Sequence, residues 1–249
     1  MGISKFEHDI LFNKYQNTEL VDIRGHNGDI DTGTIPEDVW ESGGVYTGRP
    51  IITDTTGKEF EIVSDSTNDA DGGTGAQTVK VTYIDGVGYE RDIIVTMNGT
   101  TPVPLGVTGW RVNKTQVVTA GTGNKNDGNI TVRWVSPDQA TIFDYILAGD
   151  SLAHTCVYTI PKGRVGIVYN YGLSITDNNT TFAQFSLMCM DVNGVEKVGC
   201  YCGTAGRADN DIYSQVLPAL STVYIRVNDV GSNDANVQSW IRMVVGEPR

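Results

Sequence analysis

The sequence predicts an all-β protein, and three observations carry that prediction. First, β-branched residues are in large excess: 28 Val, 20 Ile and 27 Thr stand against 9 Leu in 249 residues, and such residues suit pleated strands better than helices. Second, 29 Gly and 8 Pro divide the chain into short segments. Third, segments such as 77–83 alternate apolar and polar residues with the period of a half-buried strand. We therefore expect an N-terminal arm followed by two units that are β-sandwich-like or jelly-roll-like.

Residues 1–35 are predicted to form the N-terminal arm. Apolar anchors, among them Phe6, Phe12 and Tyr15, are spaced between polar residues and precede a turn-rich stretch at 25–29. An arm of this kind cannot bury its anchors on itself. We expect it to lie on its own domain or on a neighbouring subunit, and an N-terminal strand of the domain is an equally open alternative.

Residues 36–145 are predicted to form the first β domain. Its strands alternate with turn dipeptides that adopt positive φ at low cost, namely Asp85-Gly86, Asn98-Gly99 and Asp127-Gly128. The stretch 84–90 joins two predicted strands and is a hairpin candidate. No segment here predicts a helix of three or more turns.

Residues 146–249 are predicted to form a second β domain. The strand at 155–160 runs into the turn Pro161-Lys162-Gly163, and two further strands flank Asn193-Gly194. Evenly spaced strands with Gly and Asn turns are typical of a sandwich or jelly roll.

The charge of the chain excludes some classes of function. Lys and Arg number 18 against 30 Asp and Glu, which gives a net charge of −12 and argues against a non-specific nucleic-acid binder. Residues 29–71 hold eleven acids and two bases, which is −9 of the −12. We expect these acids to form one surface that is solvated or faces a basic partner. No apolar run is long enough to span a membrane, and the N-terminus lacks the pattern of a signal peptide, so export is not expected.

Two segments suggest metal ligands. The loop 64–75 alternates oxygen donors with glycines, so Asp65, Asp69 and Asp71 are weak candidates for calcium, although the EF-hand pattern fails. Turns made by Asx, Ser and Thr side chains explain the same composition without a metal.

The second candidate is zinc on cysteine. Cys200 and Cys202 face the same side of a strand and could act with Cys189 and His154. The spacing C-x-C is shorter than that of structural zinc sites, which favours reduced thiols that pack as small apolar residues. No nucleotide-binding or catalytic motif is present, so neither an enzyme nor a cofactor is predicted.

An ordered set of short motifs runs from about residue 25 to 165. The motifs are D-V-W-E-S-G-G-V-Y (38–46), E-I-V-S-D-S-T-N-D (61–69), V-K-V-T-Y-I-D (79–85), M-N-G-T-T-P-V (97–103) and Y-T-I-P-K-G (158–163). As a set they resemble the β-rich structural proteins of tailed-bacteriophage virions, which include capsid decoration (cement), head-fibre and tail proteins. Asp65 departs from the small polar residue expected at its position, and the last eighty residues lie outside the resemblance.

The resemblance implies a virion protein that is assembled in the host cytoplasm and is not an enzyme. The first hypothesis is a decoration protein that stabilises the shell by bridging major capsid subunits and contacts copies of itself as a homotrimer. A tail, head-fibre or adaptor protein that contacts host glycan is the alternative, and a polysaccharide-degrading enzyme is a third. Neither nucleic acid nor membrane is an expected partner. The interface candidates are Phe6, Phe12, Tyr15, Trp40 and Tyr46.

Overall fold

The computed structural model of the chain describes residues 17–53, 57–177, 180–204, 206–211 and 216–248. Those residues form β-strands and connecting turns and contain no helix, which confirms the all-β prediction. The strands are β1 (Thr18–Ile30), β2 (Glu37–Asp38), β3 (Lys58–Ser64), β4 (Ala76–Asp85), β5 (Glu90–Thr96), β6 (Val103–Ala120), β7 (Ile130–Trp134), β8 (Ile142–Ile146), β9 (Val157–Thr159), β10 (Val165–Ile175), β11 (Ala183–Met190), β12 (Glu196–Thr204), β13 (Arg207–Asp211), β14 (Thr222–Val230) and β15 (Ala235–Gly246).

The strands pair in three antiparallel sheets. The terminal sheet has the order β1-β15-β10-β13, and the facing sheet has the order β12-β11-β14-β2, with β9 also on β14. The six-stranded sheet has the order β5-β4-β6-β3-β7-β8 and holds every strand between residues 58 and 146. The predicted hairpin at 84–90 is confirmed, because β4 and β5 pair directly across it.

The terminal and facing sheets enclose one apolar core. Alternate residues of β14 and β15 point into it, such as Val223, Ile225 and Val227 on β14, and all three are fully buried. Residues from β1, β10 and β11 complete the core. Two sheets that share one core in this way form a β-sandwich, as the period-two pattern predicts.

The six-stranded sheet has a separate core. Phe60 packs edge to face against Tyr83 and Phe143, and Trp134 packs against Phe143 in the same manner. Ring contacts of this kind add to the stabilisation from buried area.

A smaller cluster joins the two units. It comprises Trp40, Tyr46, Val157, Met188, Met190 and Tyr224, with Ile142 of β8 packed against it. The connection 39–53 and residues of the facing sheet therefore share buried surface with the edge of the six-stranded sheet.

The second half of the predicted arm forms a strand in the structure. Residues 18–30 form β1, which pairs with β15 along its length from Thr18 opposite Gly246 to Ile30 opposite Ala235. The apolar residue Ile23 is buried in the sandwich core by this pairing, so the alternative of an N-terminal strand applies here. Phe6, Phe12 and Tyr15 lie outside the described residues.

The pairing of the strands does not follow the predicted boundary at residue 36. β2 pairs with β14, and Val39 lies in the sandwich core, so residues 37–39 pack with the C-terminal strands rather than with the six-stranded sheet. The division into 36–145 and 146–249 as domains stays a prediction. In the part of the chain that the structure describes, no helix has the length and apolar character to cross a membrane.

Candidate functional site

Asp69, a calcium candidate, is fully buried and saturated with hydrogen bonds. Its Oδ1 accepts hydrogen bonds from the backbone N–H groups of Ala76 and Asp127, at 2.7 and 2.8 Å. Its Oδ2 accepts hydrogen bonds from the N–H of Gly128 and the hydroxyl of Ser64, at 2.9 and 2.6 Å. Four donors leave no lone pair for a cation, so Asp69 fastens the 64–76 loop to the 126–128 turn.

The other two calcium candidates do not join Asp69 in a site. Both Asp65 oxygens accept hydrogen bonds from Asn129, one from its backbone N–H and one from its side chain, each at 2.8 Å. Asp71 is exposed to solvent. Among the described residues, the groups of three acids, His or Cys close enough to share a metal are elsewhere. The structure thus favours the reading of this loop as hydrogen-bonded turns.

Trp40 and Tyr46 are core residues, which contradicts their prediction as interface residues. They are 3% and 2% exposed and pack edge to face with ring centroids 5.1 Å apart. The indole N–H of Trp40 donates to the carbonyl of Gly44, and the hydroxyl of Tyr46 donates to the carbonyl of Phe143. Their rings thus pack between the sandwich and the six-stranded sheet and are not accessible to another chain.

A buried ionic network lies beside these rings. The carboxylate of Asp38 accepts a hydrogen bond from Arg49 at 2.8 Å and one from Arg226 at 2.9 Å. The guanidinium of Arg49 also lies 3.8 Å from the ring centre of Tyr224. Burial disfavours the charged form of Arg226, but the hydrogen bond and charge of Asp38 prevail and raise its pKa above the ordinary value. The network fixes β2 on the facing sheet.

The acidic segment 29–71 does not form one exposed surface, so that expectation is wrong. Glu37, Asp38, Glu61 and Asp69 are buried, and Glu61 pairs with Arg133 at 2.8 Å. The acids are close in sequence, but the groups that neutralise several of them come from distant strands. These buried acids therefore make contacts inside the protein, with groups that are distant in the sequence.

A cleft of about 440 Å³, here called the junction cleft, opens where β1 meets the link between β8 and β9. His26, Asp150 and His154 line it, and the fully buried carboxylate of Glu41 lies beside them. His154 Nδ1 is 2.8 Å from Glu41 Oε1 and 3.9 Å from Asp150 Oδ2. The hydrogen bond that His154 donates to Glu41 prevails over burial and raises the pKa of His154.

Among the described side chains, no cysteine groups with His154 as a zinc site would require. Cys156 and Cys189 are buried and Cys202 is half-buried. Burial raises the pKa of Cys156 to about 12, which makes its thiol unreactive. The side chain of Cys200 lies outside the described part of the structure. His154 belongs instead to the junction cleft.

Sequence reasoning missed His26, Glu41 and Asp150 as members of one group. They lie on β1, on the β2–β3 connection and on the turn after β8, with more than a hundred residues between Glu41 and Asp150. No local spacing signals such a group. Glu41 lies within the motif at 38–46, and this is the one sequence feature that singles it out.

A second buried carboxyl, Asp144, lies in the cleft between β1 and the six-stranded sheet. It accepts hydrogen bonds from the hydroxyl of Thr155 at 2.6 Å and the N–H of Tyr145 at 3.1 Å. Burial is the main cause that raises its pKa from 3.8 to about 6, and the bond from Thr155 acts in the opposite direction.

Asp144→Asn is expected to flatten the pH dependence of stability between about pH 4 and pH 6. In this window the folded protein holds a proton that the unfolded chain has released, so the wild-type free energy of unfolding falls as pH rises. A tenfold change in proton affinity corresponds to about 1.4 kcal/mol, which gives a total fall of about 3 kcal/mol for this group. Urea denaturation across the window measures the slope. Equal slopes for Asp144→Asn and wild type would contradict the assignment, and the exposed variant Asp71→Asn is the control.

No protein-family model and no curated protein matches the chain. Weak overlaps exist with solved structures of infectious bursal disease virus. The structure of the Gx strain is 10% identical with a TM-score of 0.26, over 93% of this chain and 72% of that chain. The structure of the Gt strain is 11% identical with a TM-score of 0.18, over 98% and 78%. A mutant VP2 protein of this virus in T=1 particles is 8% identical with a TM-score of 0.20, over 93% and 74%. TM-scores this low do not establish a shared fold.

Proposed function

We propose that the chain is a structural protein of a virion, and within that class a capsid decoration (cement) protein. In this role it bridges subunits of the major capsid protein and contacts copies of itself as a homotrimer, in particles assembled in the host cytoplasm. The ordered motifs between residues 25 and 165 support the class, because as a set they resemble virion proteins of tailed bacteriophages. The contacts below support the decoration role.

The observation that carries the proposal is an open edge of the six-stranded sheet that exposes apolar side chains beside charged ones. Among the described strands, β5 pairs with β4 alone, so its other backbone edge is free. Val87, Tyr89 and Ile94 on this hairpin are 57%, 46% and 59% exposed. In a free monomer, an edge strand with exposed apolar side chains promotes aggregation. It is suited to burial against a neighbouring subunit.

The facing sheet has a second edge of the same kind. Its outer strand β12 pairs with β11, and Val195 and Val198 at this edge are exposed. The two edges belong to different sheets. One molecule can therefore contact two neighbours at once, which is what bridging of shell subunits requires.

Copy number tests the role directly. Because a symmetric shell repeats each of its interfaces, a decoration protein is expected at a copy number on the order of hundreds per particle. Quantitative mass spectrometry of purified virions measures it. A count near a dozen would exclude decoration and favour the fibre or adaptor alternative, for which soluble protein should block adsorption to host cells.

Ile94→Lys is expected to weaken capsid binding at least about tenfold while leaving the fold intact. The side chain is exposed at an edge, so the charge costs little in the monomer, but it would be buried without a partner at an interface. Sedimentation with capsids that lack the protein measures binding, and thermal unfolding checks the fold. Val118→Lys is the matched control, because Val118 is 46% exposed on β6, which is not an edge strand of this sheet. Equal binding by Ile94→Lys and wild type would overturn the proposed edge contact.

A further inference from the structure

Three potential metal-ligand atoms converge at the junction cleft from separate parts of the chain, and a fourth lies nearby. Glu41 Oε1, Asp150 Oδ2 and His154 Nδ1 lie within 4.8 Å of one another. His26 Nδ1 approaches from β1 and lies 4.0 Å from Glu41 Oε1. Glu41 is held in place by the backbone N–H of Leu147, which donates to its Oε2.

The hydrogen bonding of His26 shows which atom faces the cluster. Its Nε2 lies 3.2 Å from Oδ1 of Asn236, an oxygen that also accepts a hydrogen bond from the hydroxyl of Thr176. Because a carbonyl oxygen only accepts, His26 Nε2 carries the hydrogen. In the neutral ring, Nδ1 then presents a lone pair toward the buried Glu41 carboxylate. The two acceptor atoms are 4.0 Å apart, so a cation between them would be attracted by both.

The donor set indicates the class of that species. Imidazole nitrogen suits zinc and similar transition metals, whereas calcium and magnesium prefer sites made of oxygen alone. Tetrahedral zinc, with bonds of about 2.0–2.2 Å, places its ligand atoms about 3.3 Å apart. The observed separations of 2.8, 3.9 and 4.0 Å lie on both sides of that value. Glu41, His154 and Asp150 need only adjust within their 4.8 Å group, whereas His26, which lies outside that group, must move further to become the fourth ligand.

The basic residues around the cleft already have partners. Arg24 pairs with Asp22 at 2.8 Å, and Arg207 lies over the ring of Trp240 at 4.8 Å. These contacts engage both guanidinium groups. The cluster retains two carboxylates for a cation.

We propose that Glu41, His154, Asp150 and His26 bind one zinc-class divalent ion with four protein ligands. Four protein ligands make this a structural site rather than a catalytic one. The ligands come from β1, from the β2–β3 connection and from the link between β8 and β9. The ion therefore clamps the sandwich to the six-stranded sheet. This site is independent of the proposed decoration role and of the cysteines.

Metal titration of the full chain tests the site. After treatment with EDTA, isothermal titration with ZnCl₂ is expected to give one ion per chain, and MgCl₂ or CaCl₂ is expected to give no binding. Saturating zinc should raise Tm by about 5 °C or more. Glu41→Gln and His154→Gln are expected to lower zinc affinity at least about a hundredfold. Asp31→Asn is the control at a separate acidic group and should bind as wild type does.

X-ray absorption spectroscopy of the zinc-loaded wild type identifies the ligands directly. Its result does not depend on whether the variants fold. The expected first shell contains two imidazole nitrogens and two carboxylate oxygens at about 2.0–2.2 Å. A sulfur shell would place the ion on the cysteines and overturn the proposal. Absence of zinc binding, or binding that Glu41→Gln and His154→Gln leave unchanged, would also overturn it, since a proton on the histidines would then satisfy Glu41.

Discussion

Asp69→Ala is expected to lower the free energy of unfolding by about 4 kcal/mol or more, because four hydrogen-bond donors lose their acceptor inside the protein. Three of them are backbone N–H groups, of Ala76, Asp127 and Gly128, and the fourth is the hydroxyl of Ser64. The carboxylate is fully buried, so water does not replace it without a rearrangement of both loops. Urea denaturation at neutral pH measures the loss.

Two further variants sharpen this test. Asp69→Asn keeps the shape but replaces an accepting oxygen by an NH₂ group that faces a donor, so we expect a loss that is similar in sign and somewhat smaller. Asp71→Asn changes an exposed residue two positions away and is expected to stay within about 0.5 kcal/mol of wild type. If Asp69→Ala also stayed within that range, Asp69 would not fasten the loop to the turn.

Asp38→Ala is expected to cost about 3 kcal/mol, because it removes the fully buried one of the two carboxylates that Arg49 and Arg226 share, while Glu196 remains near both. The side chain of Arg49 is 6% exposed and that of Arg226 is 14% exposed, so solvent screens them only in part. The same carboxylate accepts a hydrogen bond from the backbone N–H of Tyr46 at 2.9 Å. Thermal and urea unfolding measure the effect, and a loss of near-ultraviolet circular dichroism would report loosened packing of Tyr46.

Asp22→Ala is the matched control for this network. Asp22 also lies near two arginines, Arg24 and Arg242, but its side chain is 48% exposed. Exposed pairs contribute about 0–1 kcal/mol, so the two variants should differ several-fold. Equal losses would mean that burial does not set the strength of the Asp38 network.

The strands and their turns could be predicted from the sequence because their signals are local. Alternation over 77–83 places Val79 and Val81 on one face, and both are buried. The Asn193-Gly194 turn joins β11 to β12 as expected, and Gly194 has a φ of 78°. Such patterns depend on neighbours two residues away, which the sequence displays directly.

The pairing of sheets and the partners of the acids could not be predicted in the same way. Asp38 pairs with Arg226, and Glu41 pairs with His154. The partners in each pair lie more than a hundred residues apart in the sequence and meet only in the folded chain. The composition of the 64–75 loop indicates oxygen donors, but it does not say whether a cation or four N–H and O–H groups would satisfy them. The buried aromatic rings of Trp40 and Tyr46 likewise have the same sequence signature as exposed ones.

The pairing of β1 with β15 has a consequence for the order in which the protein can form. On the ribosome, β1 emerges first, yet its neighbour in the terminal sheet is the last strand of the described chain, with Thr18 opposite Gly246. Every contact along this ladder closes a loop of about two hundred residues, which slows folding through the entropy of loop closure. The six-stranded sheet, whose strands are consecutive from β3 to β8, has no such requirement. Nascent chains should therefore complete the six-stranded sheet early and hold β1 unpaired until β15 has emerged.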